Sequence, residues 1–450
     1  MQPAAKDVPT EQGLTAAPAW TAQPEIAAHQ SRNMALLALH QTIFRAGWIF
    51  KTESVIMPAF LDWLVGPGAG MLRGLLPVLN RFGQSVPPVF WAGRLKAARY
   101  KKLALGGFTF LMSLPFALLA ITCLLGQHQA GWVVMIFLGL YGLFFVFNGL
   151  YHVSFGTVQG KLIQPTRRGR LLLISTFWGS IPAMLLAWWL LAGWLASPLG
   201  GFPLIFGFTA CCFFLSAMLT LLIHEPPSEQ TPTVRSRQFS HLADTWRVLR
   251  RDANLRRLIV VAMLFGCSLI ILPHYQAMAR EQLGLTGSHL MVWVITQNAA
   301  VGIFSLFVGP LADAGGNRMT LRILVFASAV APLFATWVGY VGSGLGPSLF
   351  WLVFVPLGVA PLVLRILVNY TLEICPPVEH PRYLSTLSLC LAMPFVFSPL
   401  VGWLVDAMGF AVVFLGAAAL VFLGGCLTFT LDEPRFRIAE QEPTIFVGEQ

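Results

Sequence analysis

Long apolar runs separated by short polar connections fill most of this sequence. A helix needs about 20 residues to cross the hydrocarbon core of a bilayer. Two sets of six runs approach or exceed that length, at residues 36–63, 70–92, 103–126, 131–155, 171–196 and 202–223, and at 257–278, 289–311, 320–342, 347–371, 384–406 and 410–430. Because lipid cannot satisfy backbone N–H and C=O groups, each run is predicted to be a helix. We number these runs spans 1 to 12.

Polar stretches divide the chain into five predicted parts. Residues 1–33 are predicted to be a disordered cytoplasmic tail, since they lack the basic-then-apolar order of a signal peptide. A six-helix bundle at 34–223 is followed by a cytoplasmic loop at 224–256. A second six-helix bundle at 257–431 precedes a cytoplasmic tail at 432–450.

The central loop contains an amphipathic pattern. From His241 to Arg257, the apolar residues Leu242, Trp246 and Leu249 recur at helical spacing among arginines. This pattern favours a short helix at the membrane surface. A solvated charged linker is the alternative interpretation.

Composition supports the membrane assignment. The sequence is 56% hydrophobic and 11% charged, with a mean hydropathy of +0.71. Soluble domains carry roughly 25% charged residues, so soluble, secreted and disordered proteins are excluded. The predicted fold is an all-α polytopic membrane protein with twelve transmembrane helices in two pseudo-symmetric bundles.

Charge placement predicts the orientation. The net charge of +10 could suggest nucleic acid, but most of the 29 Lys and Arg residues lie in the connections after even-numbered spans and in the tails. The opposite side has only Arg73, at the start of span 2, and Arg280. Basic loops stay cytoplasmic, so both termini are predicted to be cytoplasmic, in the plasma (inner) membrane of the cell.

The two halves resemble each other weakly. Pro182 aligns with Pro394 in the middle of the fifth helix of each half. Span 6 ends in His224-Glu225-Pro226, and span 12 ends in Asp432-Glu433-Pro434. Parallel six-helix repeats are typical of transporters, which bind substrate between the repeats near mid-membrane.

The connection between spans 8 and 9 carries the most specific motif. It contains Gly309, then Leu-Ala-Asp ending at Asp313, then Gly316 and Arg318. Gly309 is predicted to permit close helix approach, Asp313 to cap or charge-pair, and Arg318 to reach anionic headgroups. An ordinary capped polar turn is the alternative. The connection closely resembles the loop signature of the major facilitator superfamily.

That resemblance implies a carrier in which helices 1, 4, 7 and 10 line a central cavity, and in which such loops form charged latches. The matching first-half loop, from Ala92 to Lys102, departs from the pattern. Lys96 stands where Asp313 would, and no acid is present. A first-half latch is therefore in doubt, and Arg99, Lys101 and Lys102 are interpreted as headgroup anchors.

Charged residues inside the apolar runs mark a candidate site, since a charge at mid-bilayer costs at least about 2.5 kcal/mol. Span 1 contains Arg45, Lys51 and Glu53, and span 2 contains Arg81. Glu53 is predicted to pair with Lys51 or Arg81, either as a cavity-lining, proton-responsive pair or as a structural tie. Arg45 has the further option of snorkelling to the inner interface.

Polar residues in later spans extend this site. Span 4 contains His152, span 8 contains Gln297 and Asn298, and span 10 contains Arg365. His152 is either a group that changes charge near neutral pH or a histidine hydrogen-bonded to a neighbouring helix. The two amides either bind a polar solute or join helices.

The predicted function is secondary active transport of a small solute by alternating access, coupled to an ion or proton gradient. A membrane-embedded enzyme acting on lipid-linked substrates is the alternative. No phosphate-binding loop, catalytic triad or metal-ligand spacing occurs, so we expect no catalytic residue, cofactor or metal. The expected partners are a small solute and the lipid bilayer, without nucleic acid, and the expected state is monomeric.

The charge of the solute is left open by the residues. Arg45, Lys51, Arg81 and Arg365 outnumber Glu53 within the spans, which favours an anionic solute. Helix carbonyls, water or lipid phosphates can neutralise arginines near the cytoplasmic ends. A neutral or cationic solute, with Glu53 as the proton-coupled acid, is the alternative.

Overall fold

The computed structural model describes residues 24–125, 131–164, 178–197, 201–228, 240–342, 344–375 and 379–433, together with the single residues 167, 171 and 174. All regular elements in this described part are helices. Eight helical segments there are long and apolar enough to cross a membrane, and one of these covers both span 8 and span 9. The polytopic, all-α prediction is therefore confirmed.

The helices follow the predicted order. In the first half they are Pro24–Phe50 with Ile56–Val65 (span 1), Gly70–Ala97 (span 2), Lys101–Leu124 (span 3), Trp132–Leu162 (span 4), Ser180–Leu195 (span 5) and Phe202–Leu221 (span 6). A separate helix, Ser240–Arg251, follows in the central loop. In the second half they are Ala253–Ile270 with Leu272–Leu283 (span 7), Ser288–Ser328 with Val330–Val341 (spans 8 and 9), Gly346–Leu349, Phe354–Leu357 and Ala360–Glu373 (span 10), His380–Ala392 with Ser398–Met408 (span 11) and Phe410–Leu427 (span 12).

Spans 8 and 9 join without a loop. Gly316 interrupts the helix Ser288–Ser328 with φ +82° and ψ +158°. Glycine adopts such a conformation readily because it has no Cβ. One residue therefore reverses the chain between two membrane helices.

Two ends of the bundle can be distinguished. We call the end that carries the central-loop helix and the two described chain ends the near end. The opposite end, with connections 66–69 and 284–287, is the far end.

Span 1 begins earlier than predicted. Its helix starts at Pro24, so the predicted disorder of residues 24–33 was wrong, while residues 1–23 lie outside the described part. Ile26 and Gln30 are buried. The Asn33 amide donates to the His224 carbonyl at 2.8 Å and accepts from the His224 N–H at 3.0 Å. These contacts order the helix against the end of span 6.

The second half repeats that contact. Asn254, at the start of span 7, accepts from the Asp432 N–H at 3.0 Å, and the Tyr370 hydroxyl donates to the Asp432 carbonyl. In each half, an asparagine near the start of the first helix thus holds the backbone at the end of the sixth. This repeated contact is the structural counterpart of the similarity between His224-Glu225-Pro226 and Asp432-Glu433-Pro434.

The central loop contains the predicted helix. It covers Ser240–Arg251, and Asp252 ends it by accepting from the Leu255 N–H at 2.9 Å as the cap of span 7. Val248 is buried, whereas Trp246 is 59% exposed. The predicted helix is present, while its place at the membrane surface, rather than as a solvated charged linker, stays a prediction.

Two apolar cores hold the bundle together. One fills the first half and continues into Tyr275, Trp293 and Phe414 of the second half, all toward the far end. The other lies within the second half, around Leu258 and Tyr370 toward the near end. The halves are therefore packed against each other at the far end.

Candidate functional site

A cavity of about 440 Å³ lies between the two halves. Spans 1, 2 and 4 line it on one side, and spans 7, 8, 10 and 11 line it on the other. Its polar lining residues are Arg45, Thr52, Glu53, Ser54, Asn80, Arg81, Gln84, Tyr141, His152, Gln297, Asn298 and Arg365. All the binding candidates predicted from the sequence are among them except Lys51, which lies behind Glu53.

A break in span 1 places an ion pair in the wall of this cavity. Residues i and i+2 of a helix do not face each other. Lys51 and Glu53 lie between the two helices of span 1, and the Lys51 Nζ contacts the Glu53 Oε1 at 2.8 Å. The same ammonium lies 3.2 Å from the ring centroid of Trp48. Of the two pairs predicted for Glu53, the structure contains the one with Lys51.

Glu53 is also bound from span 2. The Asn80 amide donates to its second oxygen, Oε2, and Gln84 donates to the Asn80 Oδ1 at 2.5 Å. Both carboxylate oxygens therefore accept hydrogen bonds from the protein. Buried charge is tolerated when it is paired and hydrogen-bonded in this way.

Three arginines line the cavity without forming an ion pair in the described part of the chain. The Arg45 Nε donates to the Ser180 Oγ at 2.7 Å. The Arg81 guanidinium lies 5.3 Å from the ring centroid of Phe395. Arg365 is exposed to the cavity. Arg45 therefore faces the cavity and bonds to span 5, and its snorkelling to the inner interface stays a prediction.

The remaining candidates link and line the site. The Ser54 Oγ donates to the Gln297 Oε1, which joins span 1 to span 8 across the halves. Asn298 donates to the Val294 carbonyl of its own helix at 2.9 Å. His152 is exposed to the cavity and forms no hydrogen bond with described residues, so the hydrogen-bonded alternative is absent here.

Depth along the helices separates the arginines into two levels. At 1.5 Å per residue, Arg81 and Glu53 lie about 17 Å from the far ends of their spans. Arg45, His152 and Arg365 lie about 30 Å from the far ends of theirs. Because His152 and Arg365 line the cavity and are exposed, the cavity opens toward the near end.

A buried ionic cluster, which we call the far-end cluster, closes the opposite side. Its centre is Arg73 of span 2, which is fully buried. The Arg73 guanidinium contacts Asp62 of span 1 at 3.4 Å, Glu281 of span 7 at 3.0 Å and Asp406 of span 11 at 3.9 Å. Arg280 contacts Asp62 at 3.4 Å. The cluster joins spans of both halves.

This cluster was not predicted from the sequence, where Arg73 and Arg280 stand out only as the basic residues of the outer side. The available signal was the recurrence of acidic and basic residues at the ends of spans 1, 2, 7 and 11. Only packing of those ends shows that they meet.

Small residues let spans 2 and 11 touch beside the far-end cluster. The Gly70 N–H donates to the Asp406 Oδ2 at 2.9 Å. A Cβ built on Gly402 would overlap the Gly70 backbone, and one on Gly74 would overlap that of Ser398. Any side chain at these glycines would separate the two halves.

The 8–9 connection forms a latch with the residues that follow span 12. Arg318 contacts the Glu433 carboxylate at 3.2 Å and donates to the Leu431 carbonyl at 3.0 Å. The role predicted for Gly309 was wrong, since a Cβ there would meet no described atom within 4 Å. The roles of Asp313 and of Arg318 toward headgroups stay predictions.

The first half contains a corresponding latch, although its loop lacks an acid. Glu225, at the end of span 6, accepts from the backbone N–H groups of Lys101 and Lys102 at 3.0 and 2.7 Å. It also contacts the Lys161 ammonium at 2.8 Å. The Lys102 ammonium donates to the Ile223 carbonyl at 2.6 Å. The doubt about a first-half latch was therefore misplaced. The acid of this latch, Glu225, lies at the end of span 6, just as Glu433 lies at the end of span 12 in the second half.

Comparison with known proteins identifies the family. The sequence profile of the Major Facilitator Superfamily matches residues 55–359, about two thirds of the chain. The chain therefore belongs to the Major Facilitator Superfamily. Among curated proteins, none matches this sequence.

Solved structures agree in fold. A variant of the nucleoside transporter NupG superimposes with a TM-score of 0.67 at 12% identity, over 90% of this chain and 100% of that one. A bacterial homologue of the iron transporter ferroportin, in an inward-facing state, gives 0.64 at 14% identity over 89% and 98%. The E. coli fucose:proton symporter FucP gives 0.58 at 13% identity over 89% and 98%. At these identities the likeness concerns the fold.

Proposed function

We propose that this protein is a secondary transporter that carries a small solute across the cell membrane by alternating access, driven by an ion or proton gradient. The observation that carries this proposal is the polar cavity between the halves, open toward the near end and closed at the far end by the far-end cluster. A solute enters from one side only in this arrangement. The neighbouring structures are transporters by name, which agrees with the proposal.

Alternating access requires two sets of contacts to exchange. In this conformation the far-end cluster and the glycine contacts of Gly70 with Gly402 hold the halves together. Rocking the halves breaks those contacts and brings the near ends together around the cavity. The Arg318–Glu433 and Lys161–Glu225 latches each lie within one half, so they keep each bundle rigid during the motion.

The near end corresponds to the cytoplasm in this proposal. The conformation is then inward-open, and both chain termini lie inside the cell. The basic residues of the near-end connections support this orientation through the positive-inside rule. We further propose that one chain suffices for transport, since the cavity is built from the two halves of a single chain.

Uptake by purified protein tests the function. Proteoliposomes carrying an imposed proton or sodium gradient are incubated with an equimolar mixture of anionic, neutral and cationic metabolites, and retained solutes are identified by mass spectrometry. We expect at least one solute to be retained above protein-free liposomes, and to be recovered chemically unchanged. Retention of none contradicts the transporter. Conversion of a solute or lipid into a product supports the membrane-enzyme alternative instead.

A further inference from the structure

We propose that the transported solute is an organic anion, bound between arginines that the two halves supply. This inference rests on the proposed transport function and names the chemical class of the solute. It depends on the charge balance, the unused hydrogen-bond donors and the shape of the cavity.

The charge of the cavity is strongly positive. Glu53 is the single carboxylate among the described lining residues, and Lys51 neutralises it at 2.8 Å. Arg45, Arg81 and Arg365 form no ion pair in the described part of the chain, and Arg81 shares with Lys51 the electrostatic attraction of Glu53. Like charges that share one cavity repel each other, so a bound anion stabilises this arrangement.

The guanidinium groups of these arginines have N–H donors that no described residue accepts from. Arg45 uses its Nε on Ser180 and leaves its two terminal nitrogens without a described partner. Arg81 lies over the Phe395 ring, and neither it nor Arg365 donates a hydrogen bond to a described residue. A planar guanidinium binds carboxylate or phosphate with two parallel hydrogen bonds. These are the groups that such a site recognises.

The arginines come from both halves. Arg45 of span 1 and Arg365 of span 10 both line the cavity, at a similar depth of about 30 Å from the far ends of their spans. An anion between them is attracted to both halves. Binding would therefore favour closure of the near end, because a ligand shifts a conformational equilibrium toward the state that it binds better.

The apolar residues that line the cavity indicate what the remainder of the solute is like. Trp48, Tyr141, Phe395 and Leu272 provide aromatic and aliphatic surface beside the arginines. A volume of about 440 Å³ falls within the roughly 300–1,000 Å³ typical of small-molecule sites. The fitting solute is an organic acid or phosphate ester with an apolar or aromatic body.

The test separates this inference from the transport function. In the uptake experiment above, we expect the solutes retained by the wild type to be anions at neutral pH. Retention of neutral or cationic solutes alone overturns the anion inference and leaves transport standing. Retention of no solute overturns both.

Variants then test the arginines with the solute so identified. Arg45→Gln and Arg365→Gln are each expected to weaken its binding about ten- to a hundredfold, the effect of losing hydrogen bonds to a charged group. Arg365→Lys keeps the charge without the planar pair of donors and should weaken binding less. Arg251→Gln, on the exposed end of the central-loop helix, is the matched control and should bind as the wild type does. Wild-type affinity in both glutamine variants overturns the assignment.

An anionic lipid headgroup offers the same chemistry as a free anion. Binding is therefore measured by thermal unfolding in nanodiscs of phosphatidylcholine alone and with phosphatidylglycerol added. Competition by phosphatidylglycerol shows that headgroups also reach the arginines. An unchanged affinity assigns the site to the free solute. Either result is interpreted only with the loss of binding in the glutamine variants, without which the inference fails.

Discussion

Replacement of Arg73 by glutamine tests what holds the far end closed. This guanidinium is fully buried and contacts Asp62, Glu281 and Asp406 from three other spans. Removing one partner of a buried ion pair costs about 3–5 kcal/mol, because the other charge stays buried. Arg280 still compensates Asp62, so we expect the lower limit, about 3 kcal/mol. If this destabilisation affects only the conformation whose far end is closed, the equilibrium between closed and open far ends shifts about a hundredfold toward the open one.

Hydrogen exchange measured by mass spectrometry reports this opening. The Gly70 N–H donates to Asp406 beside Arg73, so peptides around Gly70 and Gly402 should exchange faster in Arg73→Gln. Arg280→Gln removes a partly exposed member of the same cluster and should act more weakly. Arg257→Gln, in a half-exposed pair with Asp432 at the near end, should leave far-end exchange unchanged. Wild-type exchange in Arg73→Gln would refute the role assigned to the far-end cluster.

Three further expectations concern orientation and packing. A reporter active only in the cytoplasm should work when fused after Gln230 or at the C-terminus and stay silent after Gln127; activity after Gln127 reverses the orientation. Gly402→Leu should prevent far-end closure and raise labelling of far-end positions by a membrane-impermeant reagent, whereas Gly416→Leu, where a Cβ would meet no described atom within 4 Å, should not. Glu225→Ala should lower the free energy of unfolding by about 2–3 kcal/mol, because it leaves Lys161 without its carboxylate. The thermal unfolding midpoint should fall accordingly, and an unchanged midpoint would show that this latch contributes no stability.

The spans and several polar residues of the cavity lining could be predicted from the sequence because those signals are local. An apolar run of membrane length identifies a helix without any knowledge of its neighbours. A charged or amide residue within such a run, such as Glu53 or Gln297, is costly unless it faces a cavity or another polar group. Both candidates do so in the structure.

Contacts between spans were not predictable in the same way. The far-end cluster brings Asp62, Arg73 and Asp406 together from positions far apart in the chain, and nothing in their local sequence specifies the packing. Glu225 replaces the missing loop acid from another helix for the same reason. Gly309 is an error of the opposite kind. Its place in the motif predicted close helix packing, but no described residue lies near enough to require a glycine there.

Cross-linking of the two halves tests the central claim most directly. The Ser85 and Ser388 hydroxyls lie 3.3 Å apart, on span 2 of one half and span 11 of the other. In a background without the seven native cysteines, the variant with Ser85→Cys and Ser388→Cys should form a disulfide on oxidation. Transport of the identified solute into proteoliposomes is then measured before oxidation, after oxidation and after reduction, with each single variant as control.

If the halves rock against each other, oxidation stops transport in the double variant, reduction restores it, and the single variants are unaffected by either treatment. Transport at the uncross-linked rate by fully oxidised double variant would contradict alternating access between these two halves.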